Sequence, residues 1–77
     1  MATGQARTPR SSSYLLVATR LRASITEGTL RPGTKLPSEA ELARHYGLSR
    51  SMIRRALTIL AEEQLIDPVP QRGWFVN

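Results

Sequence analysis

The chain has 77 residues, 11 Lys and Arg against 6 Asp and Glu, a formal net charge of +5, and no cysteine. That length allows one domain with one small core, and the lack of cysteine excludes a disulfide framework and a thiolate metal site and makes the cytosol the natural compartment. The basic balance favours polyanionic partners, nucleic acid ahead of acidic membrane, and with no apolar run of about 18 residues and no apolar segment behind the N-terminal charges the chain is expected to be soluble and cytoplasmic, with no membrane partner.

Met1 to Ser13 holds Gly4, Pro9, three consecutive serines and only Ala2 and Ala6 as core material, too little to offset the entropy of ordering; a disordered arm is expected. Arg7 and Arg10 there read as solubilising charge, with phosphate contact as the alternative. The domain proper is expected over residues 14–77. From Tyr14 the spacing becomes helical: Tyr14, Val17, Ala18, Leu21 and Ile25 form one stripe, and Gly28 supplies a stop. Arg20 and Arg22 fall off the stripe and read as solvated surface charge, with a backbone phosphate contact as the alternative. Thr29 to Pro37, with two prolines and Gly33, reads as an ordered turn-rich connection anchored by Leu30 and Leu36.

A second helix is expected from Ser38 to Tyr46, burying Leu42, Ala43 and Tyr46. Ser38 and Glu41 have the spacing of a capping box, Glu39 adds an acid to the first turn, and Arg44 and His45 place bases at the end. With no second His and no Cys to share a metal, His45 is a surface residue, and no cofactor is implied. Gly47 then fits a left-handed stop, Leu48 follows it, and Ser49 can cap a third helix running to about Glu63. A helix, a short glycine-centred turn and a second helix make a helix-turn-helix.

The third helix buries Ile53, Ala56, Leu57 and Leu60. Projection at about 100° per residue puts Ser51, Arg54, Arg55 and Thr58 opposite that stripe, with Arg50 at its margin. Its charges run against its own dipole: Arg50, Arg54 and Arg55 crowd the start, Glu62 and Glu63 the end. Arg50 and Arg54 add a like-charged i,i+4 pair, a penalty of about 0.2–0.5 kcal/mol. An anionic partner explains these bases better than helix stability does, and their removal is expected to leave the fold intact or slightly stabilised. Beyond the helix, Leu65, Ile66 and Val69 form one strand-like run, Pro70 to Gly73 a turn, and Trp74 to Val76 a second run. Pro68 and Pro70 confine this hairpin to an edge, and it must pack on the helices to be stable.

From Tyr14 to Val76 the sequence resembles the winged-helix DNA-binding domain of the GntR family of bacterial transcription regulators. The resemblance is carried by Leu36-Pro37-Ser38-Glu39, Leu42-Ala43, Gly47-Leu48-Ser49-Arg50, Arg54-Arg55-Ala56-Leu57, Leu60, and Gly73 before Phe75-Val76. It implies a mainly α fold of three helices with a small β wing, a two- or three-stranded hairpin. It also implies sequence-specific binding of double-stranded DNA, as a repressor in the bacterial nucleoid. Carried over by position, the start of the third helix gives Ser49, Arg50, Ser51, Met52 and Arg54 as DNA-binding residues, and the wing turn gives Arg72 and Gly73. Ala40 stands where the family often has an arginine, Met52 where a small hydroxyl residue is frequent, Gln64 in place of a frequent glycine and Trp74 in place of a frequent threonine.

Chemically, Arg50 and Arg54 suit guanine O6 and N7 or an adjacent phosphate, Ser49 and Ser51 suit phosphate, and Arg72 the minor groove or backbone. Arg55 reads equally as a DNA contact or as an arginine that is solvated or paired within the chain. Lys35 is a weaker phosphate candidate, and Trp74 reads as a packing residue. An enzyme is not expected, since no nucleophile with a base, no paired carboxylates in a cleft and no phosphate-cradling loop is present. The alternative function is a winged helix used as a protein-interaction module; RNA binding would need surface aromatics that the chain lacks. Family members usually carry a C-terminal domain that dimerises or binds an effector. The resemblance therefore implies a homodimeric parent protein on twofold-related half-sites, while the 77-residue chain itself is expected to be monomeric because its one small core consumes the apolar positions above.

Overall fold

The computed structural model describes residues 13–77. The order is α1 (Ser13–Thr26), α2 (Glu39–Tyr46), α3 (Arg50–Glu62), β1 (Ile66–Val69) and β2 (Gly73–Val76), the strands being antiparallel with Ile66 opposite Val76 and Val69 opposite Gly73. Ser13 opens α1 rather than ending the arm; the rest of that arm, with Arg7 and Arg10, lies outside the described residues.

The start of each of the last two helices is set by a local hydrogen bond. Ser38 Oγ accepts from Glu41 N at 3.0 Å while Glu41 Oε1 accepts from Ser38 N at 2.8 Å, the reciprocal box that the spacing suggested. Gly47 then turns left-handed at φ 69°, and Ser49 Oγ accepts from Met52 N at 3.2 Å to begin α3. At the far end of α3, Leu65 N donates to Leu60 O and Gln64 N to Ala61 O, with Gln64 at φ 65°: a Schellman closure with glutamine in the glycine position.

One apolar cluster holds the elements together. Val17, Ala18 and Leu21 of α1, Leu36, Leu42 of α2, Ile53, Ala56, Leu57 and Leu60 of α3, Ile66 and Val76 are all buried. Tyr14, Ile25, Leu30, Ala43 and Tyr46, expected in the core, pack around its rim half-buried.

The wing is wider than a hairpin. Gly33 N donates to Val76 O at 2.8 Å, Val76 N to Thr34 O at 2.9 Å and Leu36 N to Trp74 O at 2.8 Å, so residues 33–36 run along the free side of β2, with Lys35 bridging Phe75. Its prolines and glycine hid this pairing inside what reads as a turn-rich connection. β1 pairs only with β2, leaving an edge on which Pro68 is tolerated. At the tip, Arg72 N donates to Val69 O at 2.9 Å with Pro70 second and Gln71 third at φ 64°, the arrangement of a type II turn.

Arg22 departs from its expected place in solvent. Its Nε donates to Glu63 Oε1 at 2.8 Å and its Nη2 to Glu63 Oε2 at 2.7 Å, a two-point clasp from α1 onto the residue that ends α3. Glu63, unfavourable at that end of a helix dipole, thereby acquires a cation.

Two predictions follow from this geometry. Gln64→Gly is expected to stabilise the domain by about 1 kcal/mol, because a side chain in the left-handed region is penalised by roughly that much and the Schellman hydrogen bonds need only backbone; thermal melts of the two proteins check it. The second concerns acid. The Arg22 guanidinium holds the Glu63 carboxyl below the ordinary 4.5, and the Ser38 backbone and hydroxyl do the same for Glu41. Both groups bind protons less readily folded than unfolded, so their contribution is present above pH 4.5 and is lost as pH falls through the depressed folded values. Melting temperature should therefore hold from neutral pH to about pH 5 and drop below it, and Glu63→Gln should flatten the drop in melts across that range.

Candidate nucleic-acid interface

The buried stripe of α3 faces inward, which leaves Arg50, Ser51, Arg54, Arg55 and Thr58 on the outside, all exposed. Around them three depressions divide the residues singled out from the sequence. The first, about 200 Å³, lies between α3 and the wing and is lined by Lys35, Arg50, Arg72 and Gly73, with Ser38, Glu39 and Trp74. Three cations from three separate stretches of chain thus converge on one hollow. The second, about 460 Å³, runs along α3 and is lined by Ser51, Arg54, Arg55 and Thr58, with Tyr14 of α1. The third, about 300 Å³, holds Ser49 and Met52 beside Gly47 and Leu48.

Gly73 is required where it stands. Its φ is 118°, and a Cβ there would lie 3.2 Å from Lys35 Cε, so the lysine stem crosses the wing at the one residue without a side chain. At the start of α3, Ser49 Oγ and Ser51 Oγ lie 3.2 Å apart. The Ser49 oxygen is committed as an acceptor to Met52 N, and the first amides of the helix have no partner within it. Hydroxyl and amide donors at a helix N-terminus make an anion site.

The arginines are not equivalent. Arg50 makes no side-chain hydrogen bond or ion pair among the described residues and is free to reach a ligand. Arg54 has a partner on another helix: its Nη2 donates to Glu39 Oε1 at 2.7 Å, and its Nε lies 3.2 Å from both Glu39 oxygens. The penalty this base carries within its own helix is offset from outside it, by an acid of α2 fifteen residues earlier. Arg55 lies over the Tyr14 ring, 4.5 Å from its centroid, donates to the Tyr14 hydroxyl at 3.3 Å, and stays exposed on the outer face of α3. Trp74 is half-buried against the core, as a packing residue should be, and its Nε1 also donates to Glu39 Oε2 at 3.3 Å.

Glu39 is the residue the sequence reading missed as part of this surface. It was accounted for as a first-turn acid, and nothing local reveals that it receives α3 and the wing together. The hydrogen bonds from Arg54 and then Trp74, with the positive charges of Arg54 and Arg50, lower its carboxyl below the usual range against a desolvation that raises it. It is a carboxylate at neutral pH. Among the described residues no cluster of three or more His, Cys, Asp or Glu could hold a metal ion, and no helix is long and apolar enough to cross a membrane.

Residues 13–76 match the model of the bacterial regulatory proteins of the gntR family. The chain is 38% identical over 64 residues, 83% of its own length, to the mannosyl-D-glycerate transport/metabolism system repressor MngR of Escherichia coli K12, and 39% identical over 64 residues to the HTH-type transcriptional repressor NagR of Bacillus subtilis 168. It spans only 27% and 26% of those two proteins. Among solved structures, AraR(DBD) in complex with operator ORR3 superposes with a TM-score of 0.81 at 34% identity, covering 84% of this chain and 78% of that one, and AraR(DBD) in complex with operator ORE1 with a TM-score of 0.86 at 30% identity, covering 99% and 90%. Three helices and an antiparallel wing in this order, a match over nearly every described residue and relatives at this identity all agree: the chain belongs to the gntR family of bacterial regulatory proteins.

Proposed function

We propose that residues 13–76 read double-stranded DNA as the operator-binding part of a transcription repressor, with α3 in the major groove and the wing at the minor groove or backbone. The observation that carries this reading is the convergence of Lys35, Arg50 and Arg72 beside the α3 N-terminus, with Gly73 letting the lysine cross the wing. Cations spaced over a helix start and a hairpin tip suit a phosphate backbone, and a free arginine between them suits a guanine edge. The operator complexes of AraR(DBD), a structural neighbour with the same fold, support it, as do the repressor names of MngR and NagR. In this reading Arg50 and Arg54 reach bases or adjacent phosphates, Ser49 and Ser51 hold phosphate, Met52 makes an apolar contact, and Lys35 and Arg72 hold the backbone. Arg55 contributes charge from its place on Tyr14.

The chain by itself is a monomer that takes one half-site weakly, and two copies gain affinity on a twofold-related pair of half-sites in the cytoplasm, where a dimerising domain of the parent protein would raise the effective concentration. Its core consumes the apolar residues of all three helices; Leu15 and Leu16, 50% and 54% exposed, are the large apolar side chains left outside it among the described residues. Sedimentation of the 77-residue protein should show a monomer at micromolar concentration. A dimer there would direct attention to Leu15 and Leu16.

Two measurements test the DNA reading. Log affinity against log salt should fall with a slope of about −0.9 for each phosphate held, and a flat dependence would overturn the electrostatic basis of the proposal. Arg50→Ala should weaken specific binding by about 1–3 kcal/mol with an unchanged or slightly raised melting temperature, since it has no internal partner to lose. Arg54→Ala should weaken binding too, but with a melting temperature slightly lowered, because it breaks a partly exposed ion pair with Glu39 that solvent screens.

A further inference from the structure

We propose that Glu39 and Trp74 are positioning residues for Arg54, and that they commit its guanidinium to meet a guanine end-on; the inference rests on the DNA-binding reading above. A guanidinium can offer two parallel donors along its side, from Nε and Nη2, or at its end, from Nη1 and Nη2. In this structure the side is occupied: Nε and Nη2 of Arg54 both donate to Glu39. What remains is the end, both hydrogens of Nη1 and one of Nη2, a pair that matches guanine O6 and N7.

Glu39 is held in turn. Its Oε2 accepts from Trp74 Nε1 at 3.3 Å, its side chain is only 19% exposed, and it sits in the first turn of α2 behind the Ser38–Glu41 cap. Arg54, by contrast, is 60% exposed, so the pair has a fixed inner member and a free outer edge. Trp74 lies two residues after Arg72 in the wing, and the same carboxylate therefore sets both the arginine of α3 and the strand that carries the wing tip. The arrangement also filters. A phosphate approaching the Nε side of Arg54 meets the negative charge of Glu39, whereas a base edge arriving at the free end does not. Glu39 thus lowers indiscriminate backbone affinity while it sharpens base choice, and these two effects change in opposite directions when it is neutralised.

The experiment uses the 77-residue chain and duplexes selected by it from a randomised pool, with 7-deazaguanine, which lacks the N7 acceptor, placed at each selected guanine in turn. Wild type should lose about tenfold in affinity at the guanine read by Arg54, and Arg54→Ala should abolish that loss. In Glu39→Gln the loss should shrink to about threefold or less, while binding to an unrelated duplex at low salt holds or strengthens. Trp74→Phe keeps the ring and removes the N–H; it should give an intermediate loss, and it decides the matter should Glu39→Gln fail to fold in parallel melts. A merely structural role would weaken matched and unrelated duplexes together and leave the 7-deazaguanine loss unchanged, and that result overturns the inference. So does a full loss persisting in Arg54→Ala. If wild type selects no sequence at all, the DNA-binding proposal itself falls, which is a different outcome from either.

Discussion

The rotation of α3 about its own axis is the constraint on which the rest of this structure depends. Ile53, Ala56, Leu57 and Leu60 are each 0% exposed, and they meet α1, α2 and the first wing strand at once. A helix packed on three sides has one rotation open to it, because turning by a single residue, about 100°, would carry a leucine into water and an arginine into the core. Truncating Leu57 or Leu60 to alanine would remove about 2–5 kcal/mol, a large share of the stability a domain of this size commands. Ser51, Arg54 and Thr58 are therefore aimed outward by core packing, without any need for the polar face to define its own direction.

That economy creates an electrostatic difficulty, and tertiary ion pairs answer part of it. The polar face places cations at the positive end of the helix dipole and acids at the negative end. Arg22 from α1 meets Glu63 at one end, and Glu39 from α2 meets Arg54 near the other, both at 2.7 Å. Each pair is partly exposed and worth little alone, yet each joins two elements that the apolar core also joins, so the pairs specify orientation more than they stabilise. Arg50 has no such hydrogen-bonded partner among the described residues and feels only the charge of Glu39 across the hollow. It sits at the hollow shared with Lys35 and Arg72, where an anion would relieve the repulsion among the three.

What was legible in the sequence divides by separation along the chain. The Ser38–Glu41 box, the Gly47 turn and the Ser49 cap were readable because each is closed within four residues by a known hydrogen-bond geometry. The core was readable because helical periodicity reports one face at a time. Periodicity says nothing about which polar residue of one helix faces which of another. The Arg22–Glu63 clasp spans 41 residues and the Trp74–Glu39 contact 35; Arg22, Glu39 and Trp74 had adequate separate explanations as surface charge, first-turn acid and packing aromatic, while Glu63 stood only as an acid against its helix dipole. The pairing of residues 33–36 with β2 was hidden for the opposite reason: Pro32, Gly33 and Pro37 gave a strong local signal for turns that masked three cross-strand hydrogen bonds.

The wing shows how little of its placement is its own. A two-stranded hairpin is marginal in water, and this one has non-glycine residues in the left-handed region at Gln64 and Gln71, before its first strand and at its tip. Nothing in such a ribbon would hold it at a given angle to α3. The angle comes from outside: residues 33–36 line the free side of β2, Asn77 donates from its backbone to Leu65 O and from its side chain to Gln64 O, and Trp74 reaches Glu39. Each of these contacts ties the hairpin to a different part of the helical body, so displacing the tip that carries Arg72 means breaking them in concert. The hollow formed by Lys35, Arg50 and Arg72 is accordingly a property of the connection before α2 and of the end of α3 as much as of the wing turn.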